Sequence, residues 1–180
     1  MSVETLIDGV IGREGGYSNN PNDAGGETMW GVTARVARTN GYAGPMKDMP
    51  REVAKNIYFD QYVQRPGFAS VMPLSAAIAE ELVDTGVNMG PAVPALMLQQ
   101  ALNGLNNQGR DYADIREDAD VGPGTIAALK AFLAKRGKAG EQVMLKALNC
   151  LQGARYIDLA RGRSANENFL YGWIANRISL

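Results

Sequence analysis

The stretch REGGYSNNPNDAGGETMWGVT, residues 13–33, joins two kinds of local structure in this chain. Ahead of it, apolar residues recur at the spacing of an amphipathic helix, with Ser2 as the expected N-cap. Gly15 and Gly16 are expected to end that helix directly after Glu14, because glycine favours neither helix nor strand. The turn residues that follow, and the apolar close of the stretch, predict a short β-hairpin. The apolar positions of the helix are Val3, Leu6, Ile7, Val10 and Ile11.

The remainder of the chain is mostly helical in pattern. Residues 103–121 are polar, acidic and glycine-containing, which is typical of a long loop. We therefore predict a mainly α fold of the α+β, lysozyme-like kind: a helical body with a small β-hairpin lobe after the first helix. We expect a catalytic part, residues 1–90, and a helical part, residues 91–180, packed as one compact unit. The predicted helices cover 50–62, 74–83, 94–102, 122–136, 143–161 and a last segment from 164.

Two further interpretations concern side chains near the C-terminus. Ser164 and Glu167 have the spacing of a capping box for the last helix. The apolar flanks of Cys150 favour a buried, structural thiol. We expect the last helix to bury the face formed by Phe169, Leu170, Trp173 and Ile174.

Composition excludes several kinds of chemistry. With 180 residues, 46% of them hydrophobic, the chain is long enough for a buried core, and a net charge of −1 gives no overall basic field for nucleic acid. The absence of histidine excludes Ser-His-Asp and Cys-His systems, and a single cysteine excludes an intrachain disulfide. Acid–base work near neutral pH then falls to carboxylates, lysine or tyrosine. We expect no metal, no cofactor and no membrane span.

The position of Glu14 is suited to a proton donor. A helix C-terminus carries partial negative charge, which disfavours an ionised carboxylate there, and apolar neighbours such as Tyr17 and Trp30 act in the same direction. A carboxylic acid that keeps its proton near neutral pH is what cleavage of a glycosidic bond requires. On position alone, an exposed glutamate followed by a glycine stop signal explains the pattern equally well.

The stretch from Glu14 to Thr33 closely resembles the signature of glycoside hydrolase family 108, which has an E-G-G-Y start, an Asn/Pro/Asp/Gly-rich turn and a T-x-aromatic-G-[IV]-T close. The resemblance implies N-acetylmuramidase activity of the kind associated with phage endolysins and "secretion activator" proteins. It also implies that Glu14 is catalytic, because the E-G-G-Y glutamate is the catalytic residue of the family. The matching residues are Glu14, Gly15, Gly16, Tyr17, Asp23, Gly25, Gly26, Thr28, Trp30, Gly31, Val32 and Thr33.

A second resemblance covers residues 83–103 and 118–129, VDTGVNMGPAVPALMLQQALN and DADVGPGTIAAL. Their N-x-G and D-x-x-x-G-P-x-T elements are similar to a C-terminal peptidoglycan-binding module. This resemblance implies peptidoglycan glycan strands as the partner. The spacing of DADVGPGT does not fit an EF-hand, so an acidic helix start is the simpler interpretation.

The second catalytic group is less defined. Phage-type lysozymes show a similar arrangement of a Glu, an Asp after eight intervening residues and a Thr after five more; Asp23 fits the first spacing, whereas Thr28 is one residue short of the second. Asp23 either stabilises charge or activates water at the reacting sugar, or it caps a turn. We expect Thr28 to position water. The candidate substrate-binding residues are Tyr17, Asn19, Trp30, Gly31, Tyr62 and Asn88, each of which has a packing role as its alternative.

Together these features predict a peptidoglycan hydrolase that cuts the β-1,4 bond between N-acetylmuramic acid and N-acetylglucosamine, with Glu14 as general acid. A lytic transglycosylase and a non-catalytic wall-binding module remain alternatives. We expect a monomer, made in the cytoplasm without a visible signal peptide, that acts on the cell wall. Holin-type release of an endolysin and export of a bacterial protein by another route both fit this expectation. The resemblance to endolysins favours a phage or prophage origin.

Overall fold

The computed structural model describes residues 2–14, 16–19 and 26–178, and within these ranges the side chains of Arg13 and Glu14 lie outside the description. The described residues are mainly helical with one two-stranded antiparallel sheet, which confirms the predicted fold class. They divide into two compact units, Met1–Arg65 and Pro66–Leu180. The elements are α1 Val3–Glu14, β1 Thr28–Met29, β2 Val32–Thr33, α2 Ala34–Thr39, α3 Arg51–Phe59, α4 Ala76–Met89, α5 Ala92–Leu105, α6 Pro123–Gly162 and α7 Glu167–Arg177.

Helix α1 begins and packs as its sequence predicts. Ser2 caps it, since the Ser2 Oγ accepts a hydrogen bond of 3.2 Å from the backbone N–H of Thr5. The apolar stripe is buried except for Leu6, which is half-buried, and α1 packs on α3 in the same unit. Asp8 joins the two helices, because its carboxylate accepts from Arg51 at 2.6 Å and pairs with Lys55 at 3.3 Å. The hydrogen bond from Arg51 lowers the pKa of the Asp8 carboxyl.

The second unit is built on α4, α5 and α6. Their facing sides hold fully buried side chains, among them Leu82, Leu98 and Leu129. Helix α6 is interrupted at Gly137, whose φ of 57° and ψ of −149° lie outside the helical region. The sequence predicted a break between two helices at this point. No helix in the described ranges is long and apolar enough to cross a membrane.

A buried glutamine holds the long loop between α5 and α6. Gln99 is 1% exposed, and its Nε2 donates to the Asp118 carboxylate at 2.9 Å and to the Asp120 carbonyl at 3.0 Å. Its Oε1 accepts from the backbone N–H of Ala119 at 2.9 Å. The hydrogen bond from Gln99 lowers the pKa of the Asp118 carboxyl. The D-x-x-x-G-P-x-T element is therefore a brace between this loop and α5.

The predictions for Cys150 and the last helix are wrong. Cys150 is exposed, because the buried stripe of α6 runs at four-residue spacing through Leu148, Gln152 and Tyr156, and Cys150 lies between those positions on another face. No side chain of α7 is buried, and Phe169 is 57% exposed. The expected capping box is absent, since Ser164–Asn166 form a 3-10 turn and the N-cap makes no side-chain hydrogen bond.

We predict that Gln99→Ala destabilises the protein by about 2–3 kcal/mol, because it removes two buried donor bonds and leaves the Ala119 N–H without its acceptor. Chemical denaturation followed by circular dichroism measures the free energy of unfolding. Gln100→Ala is the matched control, since Gln100 is the next residue of α5 and is exposed. Equal stability of the two variants would contradict the bracing role.

Candidate active site

Glu14 is the last residue of α1, and the hairpin of the motif begins at Thr28. The side chain of Glu14 and all of Asp23 lie outside the described residues. Their catalytic assignments therefore remain predictions from the sequence. What the structure describes is the framework next to Glu14: residues 16–19, the hairpin of residues 28–33 and the segments that these contact.

A backbone bridge joins Ser18 to Thr28. The N–H of Ser18 donates to the carbonyl of Thr28 at 3.0 Å, and the N–H of Thr28 donates to the carbonyl of Ser18 at 2.8 Å. Thr28 also pairs with Thr33 across the hairpin. The predicted water-positioning Thr28 is thus the central strand position of this small lobe, and its side chain is half-buried.

A two-residue turn fixes the register of the hairpin. Trp30 and Gly31 have φ values of 56° and 75°, and positive φ at both central residues is characteristic of a type I′ turn. The left-handed conformation is costly for tryptophan, and a tertiary contact holds it in place. The Trp30 Nε1–H donates to the carbonyl of Met49 at 3.0 Å, so this indole anchors the lobe to the following segment.

The end of the motif starts the next helix. Val32 is 3% exposed and belongs to the core. Thr33 is the N-cap of α2, because its Oγ1 accepts a hydrogen bond of 3.3 Å from the backbone N–H of Val36. The backbone N–H of Ala34 donates to the carbonyl of Glu27 at 2.8 Å. The G-V-T close is thus a folding element that places α2.

A tyrosine and a carboxylate meet beside the bridge. The hydroxyl of Tyr17 donates to Glu27 Oε1 at 2.6 Å, and Tyr17 is 43% exposed. This hydrogen bond is the main cause that raises the pKa of Tyr17, whereas the Asn19 side chain lowers it. Sequence reasoning did not assign Glu27 to the site. The strand pairing is the signal that could have identified Glu27. In an antiparallel Ser18–Thr28 pair, residues 17 and 27 are diagonal neighbours across the two segments, within reach of long side chains.

A cavity of about 440 Å³ lies in the same unit as the hairpin. Arg65 braces one side of it, with its guanidinium 2.6 Å from the Asp60 carboxylate and 3.2 Å from Asn40 Oδ1. Amide, carboxylate and phenol groups in a concave site suit the hydroxyl and acetamido groups of a sugar. The lining residues are Asn40, Gly41, Tyr42, Val53, Asn56, Ile57 and Asp60.

None of the six predicted substrate-binding residues is among those that line the 440 Å³ cavity. Tyr62 is half-buried and stacks on the buried Tyr58 with ring centroids 5.8 Å apart, and it does not line the 440 Å³ cavity. Asn88 belongs to the second unit, where its Nδ2 donates to the carbonyl of Asp84 at 2.7 Å. Within the described ranges, no group of three or more His, Cys, Asp or Glu side chains is arranged to hold a metal ion.

We predict that Glu27→Gln lowers the pKa of Tyr17 toward its ordinary value, because the negative carboxylate favours the protonated phenol. NMR titration with ring-labelled tyrosine measures this pKa directly. Glu52→Gln is the control, since Glu52 is exposed on α3 and no contact joins it to Tyr17. An unchanged Tyr17 pKa in Glu27→Gln would show that the two side chains are not paired in solution.

Comparisons with known proteins bear on both halves of the chain. Residues 7–90 match the family described as glycosyl hydrolase 108, and residues 93–178 match a predicted peptidoglycan domain. No curated protein matches the chain significantly. The solved structure of SagA from Brucella abortus aligns with a TM-score of 0.60 and 22% identity, covering 95% of this chain and 86% of that one. At this identity the likeness concerns the fold.

These matches confirm the resemblance found in the motifs, and they support a role on peptidoglycan, as a hydrolase or as a binding protein. The match of residues 7–90 contains the E-G-G-Y start, the hairpin and α4. The match of residues 93–178 contains the Gln99 brace and α6. Residues 7–90 are thus similar to glycosyl hydrolase family 108, and residues 93–178 are similar to the predicted peptidoglycan domain family.

Proposed function

We propose that this protein is an N-acetylmuramidase that cleaves the β-1,4 bond between N-acetylmuramic acid and N-acetylglucosamine in peptidoglycan. The observation that supports this most is the match of residues 7–90 to glycosyl hydrolase 108, with the family's E-G-G-Y glutamate at the end of α1. Glu14 donates a proton to the glycosidic oxygen, because the sugar alkoxide is otherwise too basic to leave. The hairpin after Glu14 forms one wall of the cleft.

A second carboxylate would stabilise the oxocarbenium-like charge or activate water. Asp23 holds this role by its sequence spacing. Glu27 is the alternative, because it lies on the hairpin and accepts the hydroxyl proton of Tyr17 in a hydrogen bond of 2.6 Å. This hydrogen bond holds the Glu27 carboxylate in place on the hairpin. Thr28, next to Glu27, is proposed to position the attacking water.

We also propose where the enzyme acts. The resemblance to endolysins supports a phage or prophage lysin that works as a monomer on the cell wall after holin-type release. Tyr17, Asn19, Trp30, Gly31 and Tyr62 are proposed to contact the glycan strand on the catalytic unit.

We predict that Glu14→Gln lowers the rate of peptidoglycan digestion by about 100-fold or more, because general acid catalysis contributes at least this much and the amide has no proton to give. Release of soluble reducing ends from purified peptidoglycan measures the rate. Glu4→Gln is the control on the same helix, since Glu4 is exposed in its first turn. Digestion by Glu14→Gln at the wild-type rate would rule out Glu14 as the acid.

The second carboxylate is assigned by comparing Asp23→Asn with Glu27→Gln in the same digest. We predict a loss of about 100-fold in one variant and a smaller loss in the other. Mass spectrometry of the products adds a separate criterion. Reducing ends indicate hydrolysis, whereas 1,6-anhydro ends together with full activity of both variants would replace the proposal by a lytic transglycosylase that uses Glu14 alone.

A further inference from the structure

A cavity of about 280 Å³ in the second unit has no part in the proposed cleavage. It lies between the C-terminal end of α4, the last third of α6, and α7. One of its lining residues is Asn88, which the sequence predicted as substrate-binding. The lining residues are Asn88, Met89, Arg155, Tyr156, Leu159 and Trp173.

Two hydrogen-bond donors at the cavity, the Arg155 guanidinium and the Trp173 indole N–H, have no described partner. Arg155 is exposed, and no described carboxylate pairs with it. Its neighbours differ, since Arg161 lies 3.6 Å from the Asp158 carboxylate and Arg177 lies 2.9 Å from Asp84. The indole N–H of Trp173 makes no hydrogen bond with a described residue. A guanidinium and an indole N–H at one cavity favour an acceptor ligand, and a carboxylate fits the guanidinium best.

One of the lining residues, Tyr156, has a buried hydroxyl without a described hydrogen-bond partner. Tyr156 is 3% exposed, and its hydroxyl makes no hydrogen bond with a described residue. Burial raises the pKa of this hydroxyl, so it stays protonated and able to donate. Buried polar groups in native proteins nearly always have a protein, water or ligand partner. This hydroxyl is a second observation, independent of Arg155, that indicates a polar occupant.

Two of the lining residues, Tyr156 and Trp173, are aromatic and stack on each other, and Phe169 extends this stack outside the cavity lining. Trp173 stacks on Tyr156 with centroids 5.1 Å apart and on Phe169 with centroids 5.9 Å apart. The outer ring, Phe169, is 57% exposed. The volume lies just under the usual range for sites that enclose a whole small ligand, so the cavity suits a chain end rather than a disaccharide.

We propose that this cavity binds the free carboxylate end of the peptidoglycan stem peptide, with Arg155 as its ion-pair partner and Trp173 and Asn88 as flanking contacts. The inference rests on the proposed function, because the peptidoglycan target supplies the stem peptide. The sugars of the strand are neutral once the stem is attached, and the stem carries the carboxylates. Residues 151–180 carry four Arg against two Asp or Glu, so the local net charge of +2 favours an anion.

The test uses a disaccharide of N-acetylglucosamine and reducing-end N-acetylmuramic acid that bears a tetrapeptide. This ligand contains no bond of the type that the proposed muramidase cuts, so the wild-type chain is used in calorimetry. We expect Arg155→Gln to weaken binding by about tenfold or more, and Arg155→Lys by less, because lysine keeps the charge without the bidentate fork. Arg161→Gln is the matched control on α6 and should bind as wild type does.

A second set of calorimetric measurements changes the ligand instead of the protein. Amidation of the tetrapeptide carboxylates should weaken wild-type binding as much as Arg155→Gln does. A neutral N-acetylglucosamine tetramer should bind equally to wild type and Arg155→Gln. Equal affinities of Arg155→Gln and Arg161→Gln for the acidic ligand, or equal binding of the acidic and amidated ligands by wild type, would overturn the proposal.

The two proposals fail in different ways. If wild type digests peptidoglycan but binds the tetrapeptide ligand without dependence on Arg155, the carboxylate site is wrong and the muramidase proposal stands. If Glu14→Gln digests normally and the Arg155-dependent affinity remains, the catalytic assignment is wrong and the carboxylate site is supported.

Discussion

The pairing register of the short hairpin is the constraint on which the candidate active site depends. In an antiparallel pair, a slip of one residue moves every side chain to the other face. The positive φ angles of Trp30 and Gly31 set this register, and the Ser18–Thr28 bridge extends it to a third segment. One register therefore directs Val32 into the core and brings Glu27 within reach of Tyr17.

The chain has no histidine, so acid–base chemistry near neutral pH falls to other groups. The hairpin supplies one interacting pair, in which the Glu27 carboxylate raises the pKa of Tyr17 and keeps its hydroxyl a donor. Glu14 is the last residue of α1 in the same unit. The proposed cleavage would use Glu14 as the acid and either Asp23 or Glu27 as the second carboxylate.

The sequence predicted the elements whose causes are local. The Ser2 cap and the end of α1 at Glu14 follow from residue chemistry within a few positions, and both are present. A short hairpin was also predicted, but its turn at Trp30-Gly31 was not, because tryptophan is not a turn residue. The contact of Tyr17 with Glu27 needed the strand pairing, which residue types alone did not supply. The bracing role of Gln99 was also missed, because a polar residue inside an apolar helix pattern reads as solvent-facing unless its partners across a loop are known.

The prediction that α7 buries its apolar face was wrong because no further element in the described part of the chain covers that face. The cavity beside α7 has the same origin. Apolar periodicity shows that a helix has an apolar stripe, but it does not show whether a second element covers that stripe. Within the described residues, α7 packs mainly on α6, and Trp173 stacks on both Tyr156 and Phe169. The Phe169 ring is 57% exposed, so part of this aromatic stack is accessible to a ligand. A surface of this kind next to an unpaired arginine is better suited to binding an amphipathic ligand than to closing a core.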